Sequence, residues 1–293
     1  MRSKSRAVAP EAVAIPTDGH GDIAGLIWTP PVAPIGLVVI HPATATPARF
    51  YAAFSEFLAE HGHAVLTYDY RGTGASGDPR QFAAVRMRDW MAIDAAAVTA
   101  FADERFPDLP TVTVGHGLGG HALILGAGGP RVSRFMTVSS HLAVTSRITP
   151  ATERWRVAMV LNVLGPVLSR ALGVMPGRRL GLGEDIPSAA MLEWGRWARL
   201  PHYFFSDPTM DAAARAARFS GEVLAIGASD DPWSSSRQID ALMANLTGAR
   251  VERRTITPAE VGVERLGHHG LFRRGVGERA WPGMLAWLTA ARS

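Results

Sequence analysis

The stretch Thr111-Val112-Thr113-Val114-Gly115-His116-Gly117-Leu118-Gly119-Gly120 decides how this chain folds. A β-branched apolar run leads into closely spaced glycines, and an apolar, helix-compatible segment follows over 119–126. This reads as a buried strand, a sharp turn and a helix. Working outward, similar short apolar runs lie at 23–28, 35–41, 64–68, 132–139, 223–227 and 251–256. They are too short for helices and read as buried strands. Helical stretches separate them at 48–61, 87–106, 235–246 and 282–291. Alternation of this kind implies a mostly parallel sheet with helices on both faces. The runs near 13–15 and 23–28 have no helix between them and predict an antiparallel start.

The rhythm breaks between 141 and 219. Apolar helices, such as 155–172, alternate there with Gly and Pro breaks. Trp155, Trp194 and Trp197 fall in this stretch, followed by Tyr203, Phe204 and Phe205. The reading is a helical cap inserted in an α/β core, with core residues 1–140 and 220–293 on either side.

Composition removes several chemistries. The chain has 293 residues and no cysteine. Disulfides, thiolate catalysis, Cys-ligated zinc and iron–sulfur clusters are therefore excluded. Of the 30 basic residues only Lys4 is a lysine, so a core Schiff base is excluded too. The formal charge is +4 and no dense basic tract occurs, so nucleic acid is not an expected partner. The first 16 residues lack an apolar core of signal-peptide length. No apolar run reaches membrane-span length, and a soluble, cytoplasmic protein is expected. Oligomeric state is not readable. No cofactor or metal is expected: the spacing of His116, His121 and His268 matches no metal-ligand pattern. Gly72-Thr73-Gly74 lacks the Gly-Lys-Ser/Thr of a phosphate loop.

The turn at 115–119 resembles the nucleophile elbow of the α/β-hydrolase superfamily, whose pattern is Gly-x-Ser-x-Gly. The outer glycines match at Gly115 and Gly119; the middle position is Gly117. Four further segments follow the family order. They are His41-Pro42-Ala43-Thr44 at the oxyanion loop and the Asp69-x-Arg71-Gly72-x-Gly74-x-Ser76 loop. Next come Ser229-Asp230-Asp231-Pro232-Trp233 at the acid and Gly267-His268-His269-Gly270 at the histidine. The cap-to-end segments look like a poorly characterised bacterial branch of that superfamily.

The resemblance implies an eight-stranded α/β-hydrolase fold and a small-molecule ester or acyl substrate. It implies Asp231 as acid with Asp230 as fallback, and His268 as base with His269 as fallback. It leaves Leu118 and Ala43 as backbone oxyanion donors, since Pro42 has no N–H. His116, His121 and Trp233 are pocket candidates, His116 occupying a position the family usually packs. Asp69 and Arg71 are expected to tie down their loop, His61 and His63 to lie on the surface, and Arg178-Arg179 to form a solvated turn. Glycine at 117 accepts a strained elbow backbone without cost but supplies no hydroxyl. Thr113, Ser76 and Thr44 are poorly placed substitutes. Three readings follow: slow hydrolysis by a His/Asp-activated water, a catalytically silent ligand-binding protein, or a nucleophile-removed form of an active serine hydrolase.

Overall fold

A computed structural model describes residues 9–290. Lys4, the basic amino-terminal residues and Ala291 lie outside the described residues. Eight strands form one sheet: β1 (Glu11–Ile15), β2 (Ile23–Trp28), β3 (Gly36–His41), β4 (His63–Tyr68), β5 (Thr111–His116), β6 (Arg134–Val138), β7 (Glu222–Ala228) and β8 (Arg250–Ile256). Their spatial order is β1-β2-β4-β3-β5-β6-β7-β8. β2 pairs antiparallel with β1 and β4, and every other neighbouring pair is parallel. This is the α/β-hydrolase arrangement, with the antiparallel start in place.

Every residue of β3 and β4 is buried. The reason is the two-residue period of a strand: side chains alternate between two covered faces. Leu37 and Val39 join one apolar cluster, with Trp90 and Leu123. Val38 and Ile40 join the other, with Tyr51, Phe54, Phe272 and Trp281. Helices α1 (Ala52–Glu60), α2 (Ala95–Arg105), α3 (Leu118–Ile124), α7 (Ser236–Met243) and α8 (Trp281–Thr289) cover the sheet. Between β6 and β7 lie α4 (Ala151–Met159), α5 (Gly165–Leu172), α6 (Ser188–Ala198) and a short helix, Ala212–Ala217.

A π-helical turn, Val160–Leu164, joins α4 to α5. Arg88, in the helical turn before α2, binds Glu193 of α6 and Asp207, with Nη2 2.8 Å from Asp207 Oδ2. These largely buried ion pairs tie the 141–219 segment to the helical turn before α2. His61 is exposed and Arg178-Arg179 are exposed, as expected. His63 is not on the surface: as the first residue of β4 it is buried, and burial lowers its pKa.

Candidate active site

The elbow is built by close backbone contact. β5 ends at His116 and α3 begins at Leu118, so Gly117 alone makes the turn. A Cβ on Gly115 would fall 2.4 Å from the Gly120 nitrogen, and one on Gly119 would fall 2.0 Å from the His41 carbonyl oxygen. Only glycine fits either position. Gly117 has φ 50° and ψ −109°, in the positive-φ region that strains an L side chain.

Two loops at the same sheet edge bring His268 and Asp231 together. His268 Nδ1 lies 2.7 Å from Asp231 Oδ2. The Trp233 N–H donates to Asp231 Oδ1 at 2.9 Å, and the Ser234 hydroxyl donates to Oδ2. Burial pushes the Asp231 carboxyl up. The facing His268 and the hydrogen bonds from His268 and Ser234 outweigh burial and hold it below the usual carboxylate range. The neighbouring residues do other work. Asp230 accepts the backbone N–H groups of Leu266 and Gly267 at 2.9 and 3.0 Å, shaping the turn that carries His268. His269 Nε2 lies 3.1 Å from Thr46 Oγ1, and burial lowers its pKa to about 3.

The elbow faces this pair. A Cβ built on Gly117 would lie 3.8 Å from His268 Nε2 and 3.2 Å from Ala43 Cβ. A one-atom extension from that position reaches hydrogen-bond distance of the imidazole.

Ala43 departs from expectation. Its N–H donates to the Tyr51 hydroxyl at 2.9 Å. Tyr51 Oη is in turn 2.9 Å from His116 Nδ1, and His116 Nε2 is 3.1 Å from the His268 carbonyl. A carbonyl only accepts, so Nε2 carries the proton and Nδ1 accepts from Tyr51. Burial drives the His116 pKa far down and keeps the ring neutral. Ala43 N–H is thus committed to a fully buried phenol that needs a partner. The same chain corrects His116: it does not line the cavity over Gly117 and instead braces the backbone of His268. Thr44, one residue on, lines the cavity, and its N–H has no partner among the described residues. The Leu118 N–H, at the first position of α3, has no partner there either, as expected of a helix start.

The cavity opens onto Gly117 and His268. His121 and Trp233 line it, with His141, Tyr203 and Trp194. A second, smaller space continues past Leu161 and Leu182 toward Met175 and Met191. Among the described residues no Arg, Lys, Asp or Glu lines the first. Burial lowers the pKa of His121 to about 3, and burial with the nearby His268 lowers that of His141 to about 4. Thr113 is buried in β5 and does not line the cavity. Ser76 is held by the Asp69 carbonyl and the Ala24 N–H. Asp69 binds the N–H groups of Ala48 and Ala75, and Arg71 pairs with buried Asp94, so both hold the loop as expected. Tyr51, His141 and Ser234 carry no reading in the sequence, and Thr44 is read there only as a poorly placed hydroxyl, not as a backbone donor; of the first three only Ser234 has a signal, its place three residues after Asp231. Among the described residues no cluster of three or more His, Asp or Glu is arranged to hold a metal. Nor is any helix long and apolar enough to cross a membrane.

Residues 32–259 match the family model described as serine aminopeptidase, S33. The chain belongs to that family of α/β-hydrolases. A monoacylglycerol lipase from Mycolicibacterium smegmatis is 31% identical over 143 residues. That match covers 48% of this chain and 49% of the lipase, so the chain spans about half the length of the curated relative it matches. Among solved structures, a soluble variant of monoglyceride lipase from Saccharomyces cerevisiae, bound to a substrate analogue, superposes with a TM-score of 0.68 at 12% identity. The superposition covers 98% of this chain and 97% of that one. Est1E from Butyrivibrio proteoclasticus, bound to ferulic acid, gives 0.63 at 17% identity, covering 96% and 100%. At these identities the likenesses concern the fold.

Proposed function

We propose that this S33-family protein carries no nucleophile at its elbow, and that Asp231 and His268 activate a water for slow, non-covalent hydrolysis of small apolar esters. The observation that carries this is the 3.8 Å between His268 Nε2 and a Cβ on Gly117. The base is poised over a residue with no atom for it to deprotonate. In the serine mechanism a hydroxyl attached there attacks the acyl carbon. In its place a water gives its proton to His268 Nε2 while its oxygen attacks. The imidazolium, stabilised by Asp231, then protonates the leaving alcohol. The N–H groups of Leu118 and Thr44 are free to receive charge on the carbonyl oxygen. Residues 141–219 act as a cap whose apolar lining suits an acyl chain, in line with the ester-cleaving relatives. Triads missing a member retain on the order of 10³–10⁴-fold over water, which sets the scale.

A second reading is a silent ligand-binding protein, favoured by the apolar cavity without charged lining. Turnover of p-nitrophenyl butyrate by the parent and by His268→Ala separates the two. Parent turnover that the substitution cuts by at least about tenfold supports hydrolysis. Turnover identical in both proteins removes His268 from the mechanism. If the parent shows no turnover above background, the binding reading stands instead.

A further inference from the structure

The helical stretch 151–172 carries two apolar stripes. Val157, Leu161, Gly165 and Ser169 are buried toward the domain. Trp155, Met159, Val163 and Val167 point the other way and are 68, 37, 47 and 58% exposed. Both series step by four residues. A regular helix has 3.6 residues per turn, so such stripes drift around its axis. The π turn Val160–Leu164 adds a residue in the middle and keeps both on their faces. An outward apolar row is thereby held straight, where a soluble surface helix is polar. Leu172 and Leu180, 45 and 40% exposed, continue the apolar surface nearby in the chain.

Charge is partitioned in the same place. Segment 141–219 holds ten arginines against six acidic residues, and the remainder of the chain balances twenty against twenty. All of the formal +4 therefore belongs to this segment. Arg154 and Arg170 lie on the helix, and Arg199 bonds Asn162 from beside it. Among the described residues none of the three has a carboxylate partner; Arg154 and Arg170 reach only backbone carbonyls. Arg154, Trp155 and Arg199 share one groove.

We propose that the outer face of 151–172 docks on an anionic lipid bilayer. Trp155, Met159, Val163 and Val167 enter the headgroup boundary, and Arg154, Arg170 and Arg199 meet lipid phosphates. An apolar row flanked by unpaired cations matches such a surface on both counts. The opposite face of the same helix, through Val157 and Leu161, lines the cavity, so docking sets the pocket wall against the lipid. The helix lies along the membrane rather than across it.

The test is co-sedimentation of the full chain with two kinds of vesicle. One is phosphatidylcholine alone; the other contains about 30 mol % phosphatidylglycerol. Binding is expected to be at least about tenfold stronger to the anionic vesicles and to weaken when NaCl is raised to about 0.5 M. The double variant Val163→Asp/Val167→Asp is expected to lose at least about tenfold in binding while keeping the parent's melting temperature, since both side chains lie outside the core. Failure of the parent to bind either vesicle at low salt overturns the proposal. So does undiminished binding by the double variant. Sedimentation velocity supplies a third readout: a parent dimer that the variant breaks to monomers would assign the face to a second copy and overturn the proposal.

Discussion

The elbow and the cavity wall meet at one site but are made in different ways. At the elbow, backbone touches backbone: Gly115 lies against Gly120, and Gly119 against His41. The polar groups behind it form a closed chain from Ala43 through Tyr51 and His116 to His268. The wall contributed by 141–219 is instead apolar side chains packed on side chains, and it leaves Thr145 Oγ1 unpaired. The first arrangement tolerates almost no change in shape, and under the proposed function it fixes where chemistry can happen. The second, under the same proposal, decides what can enter.

Substitutions can sharpen that contrast. Gly119→Ala is expected to have the largest effect, at least about 4 kcal/mol or failure to fold, because the new methyl overlaps the His41 carbonyl. Urea unfolding checks it, and a loss below 1 kcal/mol would mean that the close contact is absent. In the wall, Leu161→Ala should cost about 2–5 kcal/mol and Val167→Ala less than about 0.5, although both lie on the same helical stretch. Equal losses would erase the distinction between inner and outer faces. Asp230→Asn is expected to cost about 1–3 kcal/mol by weakening its hold on the 266–267 turn, measured as a lowered melting temperature.

Acid acts on both regions through buried neutral histidines. His41 and His121 have pKa values near 3 and His141 near 4, against 6.5 when unfolded. Between those limits the unfolded chain binds more protons, so stability is lost as pH falls below about 6.5. Each group adds up to about 1.4 kcal/mol per pH unit until its folded value is reached. Asp231, with a depressed folded pKa, adds stability above its unfolded value and loses it only as pH falls well below that value. Urea midpoints between pH 8 and 5 should therefore fall most steeply at the acid end. A flat profile would mean that these rings are solvated.

The contrast also explains what could be read from sequence. Gly115 and Gly119 were legible because steric exclusion leaves one residue type and a fixed spacing. Asp231 and His268 were legible in position but not separable from Asp230 and His269, since adjacent residues on a turn differ only in direction. Ala43 was misread because the hydroxyl that takes its N–H arrives from Tyr51, whose burial no local pattern announces. His63 looked like a turn residue, yet it opens a strand buried on both faces. Tyr203 and His141 carry no motif, because a pocket wall requires volume rather than a particular spacing.

On the proposed function, the hydrolase site is assembled but has nothing at its centre to acylate. The most direct measurement is fluorophosphonate labelling of the parent and of Gly117→Ser, with the labelled peptide mapped by mass spectrometry. The parent should stay unlabelled. The variant should label at position 117 and gain ester turnover on the order of 10²–10⁴-fold. Labelling of the parent would reveal another nucleophile, and a folded variant that still fails to label would mean that Asp231 and His268 are not a working base; either result contradicts the claim.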